Sequence, residues 1–351
     1  MQFALFSNGQ RRNAVAKVSY DEDLEEIIAA DRLGITEAWI SEHGVFVTFH
    51  APDQLPSADP FICKAAALTK QIRMGPGIRA LPYFHPLQIA TDAAVCDHLT
   101  GGRYMAGFGT GIGDGGGLRG ALPAPQRAMM REAIDIILKA WTSPEPFDWN
   151  GTIWQGKNWK IIPKPLTQPR MEVGIACARS DSTLELAAEK GFLPLLSWTA
   201  PPQQLAGMIK TYIAAPGGEI APARSRVRVA RFVYVADSLA EARRDLANVD
   251  LVPVHAGRRL DDYIPAGGTR SDVTTDYLID RGLLICGDPD RVCRLLAEFY
   301  YQLGGFGVLM LVVGKDWATA EQRLRSMARF MGEVAPRLAA LEPAPSASSV
   351  A

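Results

Sequence analysis

Glu42-His43 follows a short apolar stretch, eight glycines lie between Gly107 and Gly120, and Ala178-Arg179-Ser180-Asp181-Ser182-Thr183 opens a helical pattern. These are parts for proton transfer and for holding an anion. An imidazole at His43 can give or take a proton near neutral pH; a structural histidine bonded to a neighbouring loop is the competing reading. Glycine at that density suits backbone that bends tightly or passes close to a flat group. The stretch therefore reads either as one wall of a planar cofactor's pocket or as a surface loop. Gly111-x-Gly113-x-x-Gly116 has the spacing of a dinucleotide fingerprint, but no helix opens directly from it and no acid follows about 20 residues on, so that reading is rejected. Free N–H groups at a helix start, with the hydroxyls of Ser180 and Thr183 beside them, make a phosphate seat. Equally, Ser182-x-x-Glu185 has the form of a capping box and Ser180 that of a cap. Arg127 stands against the dipole in the first turn of the helix after the glycines, which suits an anion-facing cation. Trp198 can stack along a ring system or pack on the core. Cys177 is either a reactive thiol or a small residue in a tight space. His85 reads as structural, while His50, His98 and His255 carry no pattern. Five scattered histidines offer no paired-ligand spacing for a metal.

The elements that must position these residues alternate. Strands are expected at Gln2–Ser7, Thr36–Ser41, Ile72–Leu81, Tyr104–Phe108, Met171–Ala176, Phe192–Ser197, Val227–Val235 and Gly307–Val313. Helical spacing separates them, at Asp21–Leu33, Pro60–Thr69, Pro86–Leu99, after Pro125, and at Asp181–Lys190, Pro202–Ala214, Leu239–Val249 and Val292–Leu303. Ala318–Leu341 closes the series as one helix. Residues 147–162 read as an inserted β-hairpin with Asn150-Gly151 as its turn. Eight apolar strands alternating with helices favour closure into an α/β (β/α)8 TIM barrel, with a doubly wound sheet as the rival. Residues 1–341 are expected to form this single domain, with a mobile loop at 257–275 that closes over the pocket and a disordered tail at 342–351.

With 351 residues, 48% of them hydrophobic, the chain can bury a large core. A net charge of -1 recruits neither nucleic acid nor an anionic membrane surface. No apolar run approaches the roughly 20 residues that span a bilayer, and the start of the chain is apolar for too few residues to act as a secretory signal. Five scattered cysteines without a CxxC pair argue against a disulfide framework and structural zinc, so a cytoplasmic location is expected.

Taken in order, several runs resemble the bacterial luciferase-like flavin monooxygenases. They are ISEH at 40–43, MGPGIRALPYFHP at 74–86, DHLTGGRYMAGFGTG at 97–111, QRAMMREAIDII at 126–137, ACARSDSTLELAAEKG at 176–191, LSW at 196–198, GDPDRV at 287–292 and GGFGVLML at 304–311. Together they span almost all of residues 1–341 and look closest to the limonene- and diketocamphane-type members. The resemblance implies a (β/α)8 barrel that takes up reduced FMN (FMNH2) made by a separate NAD(P)H:flavin reductase. Oxygen adds to the ring, and the resulting flavin hydroperoxide oxygenates a small hydrophobic ketone or alkene. A sister group with the same barrel transfers hydride from a deazaflavin, and a flavin-storing protein without activity is the non-enzymatic alternative. By position, His43 matches the histidine beside the flavin. Arg127, Ser180 and Thr183 match phosphate contacts, with Arg179 in the same run; Gly109 and Thr110 lie where the chain passes the ring, and Trp198 lines the pocket. Gly77-Ile78 falls where many members have a non-proline cis peptide. Asp59, Phe61, Phe46 and Phe49 are expected on the substrate side. Gly44 stands where members often have a second histidine, and Gly109-Thr110 where luciferase has Cys-Arg, so light emission is not implied. A homodimer through the helices near the second and third strands is expected.

Overall fold

In a computed structural model, which describes residues 1–7, 15–42, 55–111, 124–178, 180–247, 263–313 and 318–341, the two ends of the chain meet. Gln2–Ser7 (β1) runs parallel to Val308–Val313 along its whole length and to Glu37–Ile40 (β2) on its other side. The remaining strands of this sheet are Arg73–Pro76 (β3), Arg79–Ala80 (β4), Ala106–Gly109 (β5), Val173–Cys177, Leu193–Leu196, Arg228–Val235 and Leu284–Gly287. An antiparallel pair, Phe147–Asn150 (β6) with Gln155–Trp159 (β7), stands apart. The later strands are therefore β8 at Val173, β9 at Leu193, β10 at Arg228, β11 at Leu284 and β12 at Val308.

Neighbours run β3-β2-β1-β12-β10-β9-β8-β5-β4, all parallel. Because β3 and β4 are the halves of one strand, interrupted at Gly77-Ile78, this path returns to its start. The N–H of Met105 donates to the Met74 carbonyl at 2.8 Å, and the N–H of Met74 to Arg103 at 2.9 Å, which stitches β3 to β5. The closed α/β barrel anticipated from the alternation is what forms. β11 has no counterpart among the strands read from sequence. It pairs with the second half of β10, Phe232–Val235, whose first half pairs with β12. A four-residue buried run is too short to separate from an ordinary loop by periodicity.

Successive strand residues face opposite sides. One set, including Ala4, Trp39, Leu195, Phe232, Met310 and Val312, fills the ring. The other set, including Leu5, Ile40, Phe108 and Ile175, packs under the helices. Trp39 is fully buried, and room for its indole comes from glycines opposite. A Cβ on Gly174 would lie 2.5 Å from its ring, and one on Gly107 would meet the Pro76 carbonyl oxygen at 1.7 Å as well as the indole at 3.3 Å. The N-terminal end of the barrel is closed by charge. Glu37, Arg73 and Arg228, each the first residue of its strand, meet there, with Arg73 Nη2 and Arg228 Nη2 both 2.7 Å from Glu37 Oε1. Burial alone would raise the Glu37 pKa, but the two guanidiniums outweigh it and hold the carboxyl below its ordinary range.

Two further departures from the sequence expectations have local causes. The hairpin turn is longer than Asn150-Gly151: Asn150 pairs with Gln155, so residues 151–154 make the turn. Glu132 on the helix Gln126–Thr142 (α4) fixes it by accepting from the N–H groups of Ile153 and Trp154 and from Trp149 Nε1. The last helix is not continuous. A π-turn at Phe330–Val334 divides Ala320–Arg329 from Ala335–Ala339, where Pro336 has no N–H to give to the preceding turn. Residues 342–351, the expected tail, lie outside the described residues, as do 257–262. The rest of the expected 257–275 loop carries a 3-10 turn at Arg270–Asp272. No described helix is long and apolar enough to cross a membrane.

Glycine substitutions test this packing with opposite signs. Gly107→Ala is expected to lower the free energy of unfolding in urea by about 1–3 kcal/mol through overpacking. Gly207→Ala, in the exposed helix Pro202–Ala214 with nothing within 4 Å of the new Cβ, is expected to raise it by about 0.5–1 kcal/mol. Equal midpoints for the two variants would contradict the packing described.

Candidate active site

Trp39 and Gly174 seal the barrel interior, but one inward position further along β8 Ala176 is exposed. The ring is therefore shut at its N-terminal end and open at the ends of its strands. Around this mouth stand Phe6, Gly77, Ile78, Gly109 and Thr110. The Gly77-Ile78 peptide is cis. Ile78 packs flat on Gly109: a Cβ there would lie 2.6 Å from Ile78 Cδ1 and 3.6 Å from the Ala176 methyl. One side of the mouth is thus apolar and closely packed, with the Ile78 and Phe6 side chains lying over Gly109 and Gly77. On the other side Trp198 is buried with its ring 4.4 Å from that of Phe232, and its carbonyl accepts from Arg231 Nη1 at 2.7 Å. These contacts show Trp198 packing on the interior.

The helix Asp181–Lys190 (α5) starts directly after β8. Its cap residue is Ser180, in extended conformation, which makes no side-chain cap hydrogen bond. The Ser180 and Ser182 hydroxyls instead meet each other at 2.8 Å. Ser182 is already inside the helix, so the Ser182-x-x-Glu185 capping box does not form, and the first N–H groups of α5 keep no side-chain cap. Thr183 is buried one turn in. Arg131 of α4 donates to the Ser182 carbonyl at 2.7 Å, which lays α4 beside the start of α5. Arg127 is one turn earlier on the same face of α4 and is exposed. The structure therefore brings Ser180, Thr183 and the Arg127 side of α4 together next to the mouth. His43, Arg179, and the glycines beyond Gly111 lie outside the described residues, as do Phe46 and Phe49.

Sequence reasoning missed a charged cluster behind the rim. Arg79, on β4 just past the cis peptide, reaches Glu42 (Nε to Oε1, 2.8 Å) and Asp59 (Nη2 to Oδ2, 2.9 Å). The Tyr104 hydroxyl donates to Asp59 at 2.7 Å, and the N–H of Ala58 donates to Glu42 at 3.0 Å. The guanidinium also lies 5.3 Å from the ring centroid of Phe84. Burial works against the Arg79 charge, but Asp59 and Glu42 outweigh it and push its pKa up. Burial likewise pushes the Glu42 carboxyl above its usual range, more than Arg79 pulls it down. Three rim elements are tied at one point: the end of β2, the start of the helix Ala58–Ala66 (α2), and β4. Asp59 and Phe61 are not substrate-facing as expected. Asp59 belongs to this cluster, and Phe61 is buried in the outer core beneath α2. The signal in the sequence was slight, an arginine set among apolar strand residues.

Other candidates have structural duties. His85 caps the helix Pro86–Leu99 (α3), its Nδ1 accepting from the N–H of Leu87 at 3.2 Å, and burial lowers its pKa. His98 Nε2 meets the Lys164 carbonyl at 2.9 Å. Cys177 is buried and its pKa is raised by burial, opposite to a reactive thiol. Among the described residues, no group of three or more His, Cys, Asp and Glu side chains could hold a metal.

A parallel α/β barrel closed at its N-terminal end, with its openings among the βα loops, is the architecture of barrel enzymes that work at that face. Comparison with known proteins narrows the class: residues 1–306 match the model of the luciferase-like monooxygenases, and the chain belongs to that family. It is 31% identical over 342 residues to the 4-hydroxyprotoasukamycin monooxygenase of Streptomyces nodosus subsp. asukaensis, covering 90% of this chain and 86% of that one. It is 28% identical to the limonene 1,2-monooxygenase of Rhodococcus erythropolis, covering 95% and 85%. Its fold superposes with a TM-score of 0.82 on the oxygenating constituent of 3,6-diketocamphane monooxygenase from Pseudomonas putida, solved with FMN, at 24% identity over 96% of this chain and 98% of that one.

Arg79→Met leaves two buried carboxylates without their cation, and a loss of about 3–5 kcal/mol of unfolding free energy is expected. The triple change Arg79→Met, Glu42→Gln, Asp59→Asn removes all three charges and is expected to recover most of that loss. Chemical denaturation of both variants measures it, and a single variant as stable as the parent would rule out the cluster.

Proposed function

We propose that the barrel mouth binds reduced FMN and uses O2 to oxygenate a small hydrophobic ketone or alkene, with a separate NAD(P)H:flavin reductase supplying the FMNH2. One observation carries this: the interior opens at Ala176, beside the apolar wall of Ile78 and Gly109, and the start of α5, without a side-chain cap, follows directly after the same strand. The residues fit the cofactor. A flat ring needs an apolar wall, which Ile78, packed on Gly109, and the exposed Ala176 methyl provide. Its phosphate needs N–H groups and a cation, which the start of α5, Ser180, Thr183 and Arg127 provide, with Arg179 in the same run. Monooxygenase activity among the curated relatives on limonene and on a hydroxylated natural product supports an apolar substrate.

When bound, reduced FMN supplies the two electrons that activate O2. One oxygen atom enters the substrate and the other leaves as water, as FMNH2 is oxidised to FMN. The protein's part is to bind, orient and keep the site dry. His43 is the proton donor, delivering a proton from its imidazole to the oxygen that departs as water. Thr110 and the Gly77-Ile78 peptide border the ring, and Trp198 bounds the substrate space. The protein works in the cytoplasm, where the reductase is, as a homodimer.

His43→Ala is expected to lower product formation from FMNH2, O2 and a panel of terpenoid ketones and alkenes by about 10²–10⁴-fold while flavin binding is retained. Unchanged turnover would remove His43 from the mechanism. Arg127→Ala is expected to weaken FMN binding in a fluorescence titration by roughly tenfold or more and leave riboflavin, which has no phosphate, unaffected. Equal weakening of both would place Arg127 elsewhere than at the phosphate.

A further inference from the structure

Cys63 and Cys96 are 33 residues apart in sequence, yet their sulfurs are 3.7 Å apart where α2 packs on α3. Both are free thiols; Cys63 is half-buried and Cys96 is buried behind it. The other three cysteines sit in separate elements, β8, β11 and the helix Pro289–Gln302. An accessible thiol backed by a buried one in contact is the arrangement in which the first is oxidised and the second resolves it.

We propose that Cys63 and Cys96 are a peroxide-oxidisable dithiol that closes to a reversible disulfide between α2 and α3. The Cys63 thiolate attacks hydrogen peroxide, forming an S–O bond as the O–O bond breaks and hydroxide leaves. The sulfur of Cys96 then attacks that of Cys63. The S–S bond forms, the S–O bond breaks, and the oxygen departs as water with the Cys96 proton. Two thiols lose two electrons, and one peroxide becomes two waters. The sulfurs need approach by roughly 1.7 Å to reach bonding distance, which side-chain rotation can supply. The hydrogen bond shared by the two thiols lowers the Cys63 pKa, and the same bond with burial raises that of Cys96, so the accessible sulfur is the nucleophile.

The position gives the bond a consequence. Cys63 is one helical turn from Asp59 on the same face of α2, and Asp59 holds Arg79. Closing the disulfide pins to α3 the helix that anchors the rim cluster. Reduced flavin that meets O2 without substrate yields hydrogen peroxide, so the proposed function names a local source. Only that source rests on the functional reading, and the experiment adds peroxide directly, so either can fail alone.

The full chain is exposed to stoichiometric hydrogen peroxide, denatured, alkylated with iodoacetamide and mapped by mass spectrometry. The reduced protein, with its five cysteines, should take five labels. After peroxide it should take three (five less two), weigh about 2 Da less before labelling, show a Cys63–Cys96 linked peptide, and regain five labels with dithiothreitol. Cys63→Ser and Cys96→Ser should each abolish the linked peptide while circular dichroism shows the fold intact. Five labels after peroxide, linkage to Cys177, Cys286 or Cys293, or over-oxidised Cys63 in place of the link would overturn the proposal.

Discussion

The indole of Trp39 determines how the inside of this barrel is divided. It is the largest fully buried side chain in the ring, and it crosses towards β5 and β8, where Gly107 and Gly174 leave room for it. A barrel of this strand number has an interior just wide enough for side chains to fill. One large ring opposed by bare backbone satisfies that limit as well as several medium residues would. The consequence is directional. Below the indole the interior is packed; beyond it Phe6 and Ile78 lie against Gly77 and Gly109, and Ala176 is exposed. The glycines near this level serve close approach between strands and rings, and their role follows from what a Cβ would strike.

Charge is used differently at the two ends. At the N-terminal end Glu37 has two guanidiniums, so the acid is the minority partner and its pKa is drawn down. Behind the C-terminal rim one guanidinium serves two carboxylates, and Glu42 is pushed up. Buried ion clusters add little net stability, because desolvating each charge costs several kcal/mol, roughly what the attraction returns. What such a cluster supplies is geometry: an arginine fork fixes the planes of both carboxylates at once. The end that closes the barrel and the end that presents the site are both held this way, although only one of them has a mouth.

Local sequence carried the elements whose ends are marked by local chemistry. Pro86–Leu99 and Pro202–Ala214 begin with proline in the first turn, and Asp181–Lys190 ends at Gly191 in the left-handed conformation (φ 62) that glycine tolerates. Their observed limits coincide with those read from the sequence. β11 was missed because four buried residues carry no period, and the π-turn because one proline inside a helical pattern does not announce how the backbone will adapt. Of the candidate site, the start of α5 directly after β8 lies where the sequence placed it, while His43 and Arg179 are outside the described residues. The clusters were not. Arg228 and Glu37 are 191 positions apart, and Arg79 meets Asp59 and Glu42 only after two strands and a helix have closed on each other. Pairings of that kind are set by tertiary packing and leave no spacing to read.

The rim cluster also bears on why the residue proposed for proton transfer follows Glu42. Glu42 is held from two directions, by Arg79 through one carboxylate oxygen and by the N–H of Ala58 through the other. The residue after His43 is Gly44, which restrains the backbone least. Glu42, the last described residue before position 43, is thus a fixed point of the rim. The same Arg79 that fixes Glu42 lies two residues from Gly77 and one from Ile78, so a single guanidinium ties the end of β2 to the strand that carries the cis peptide at the mouth.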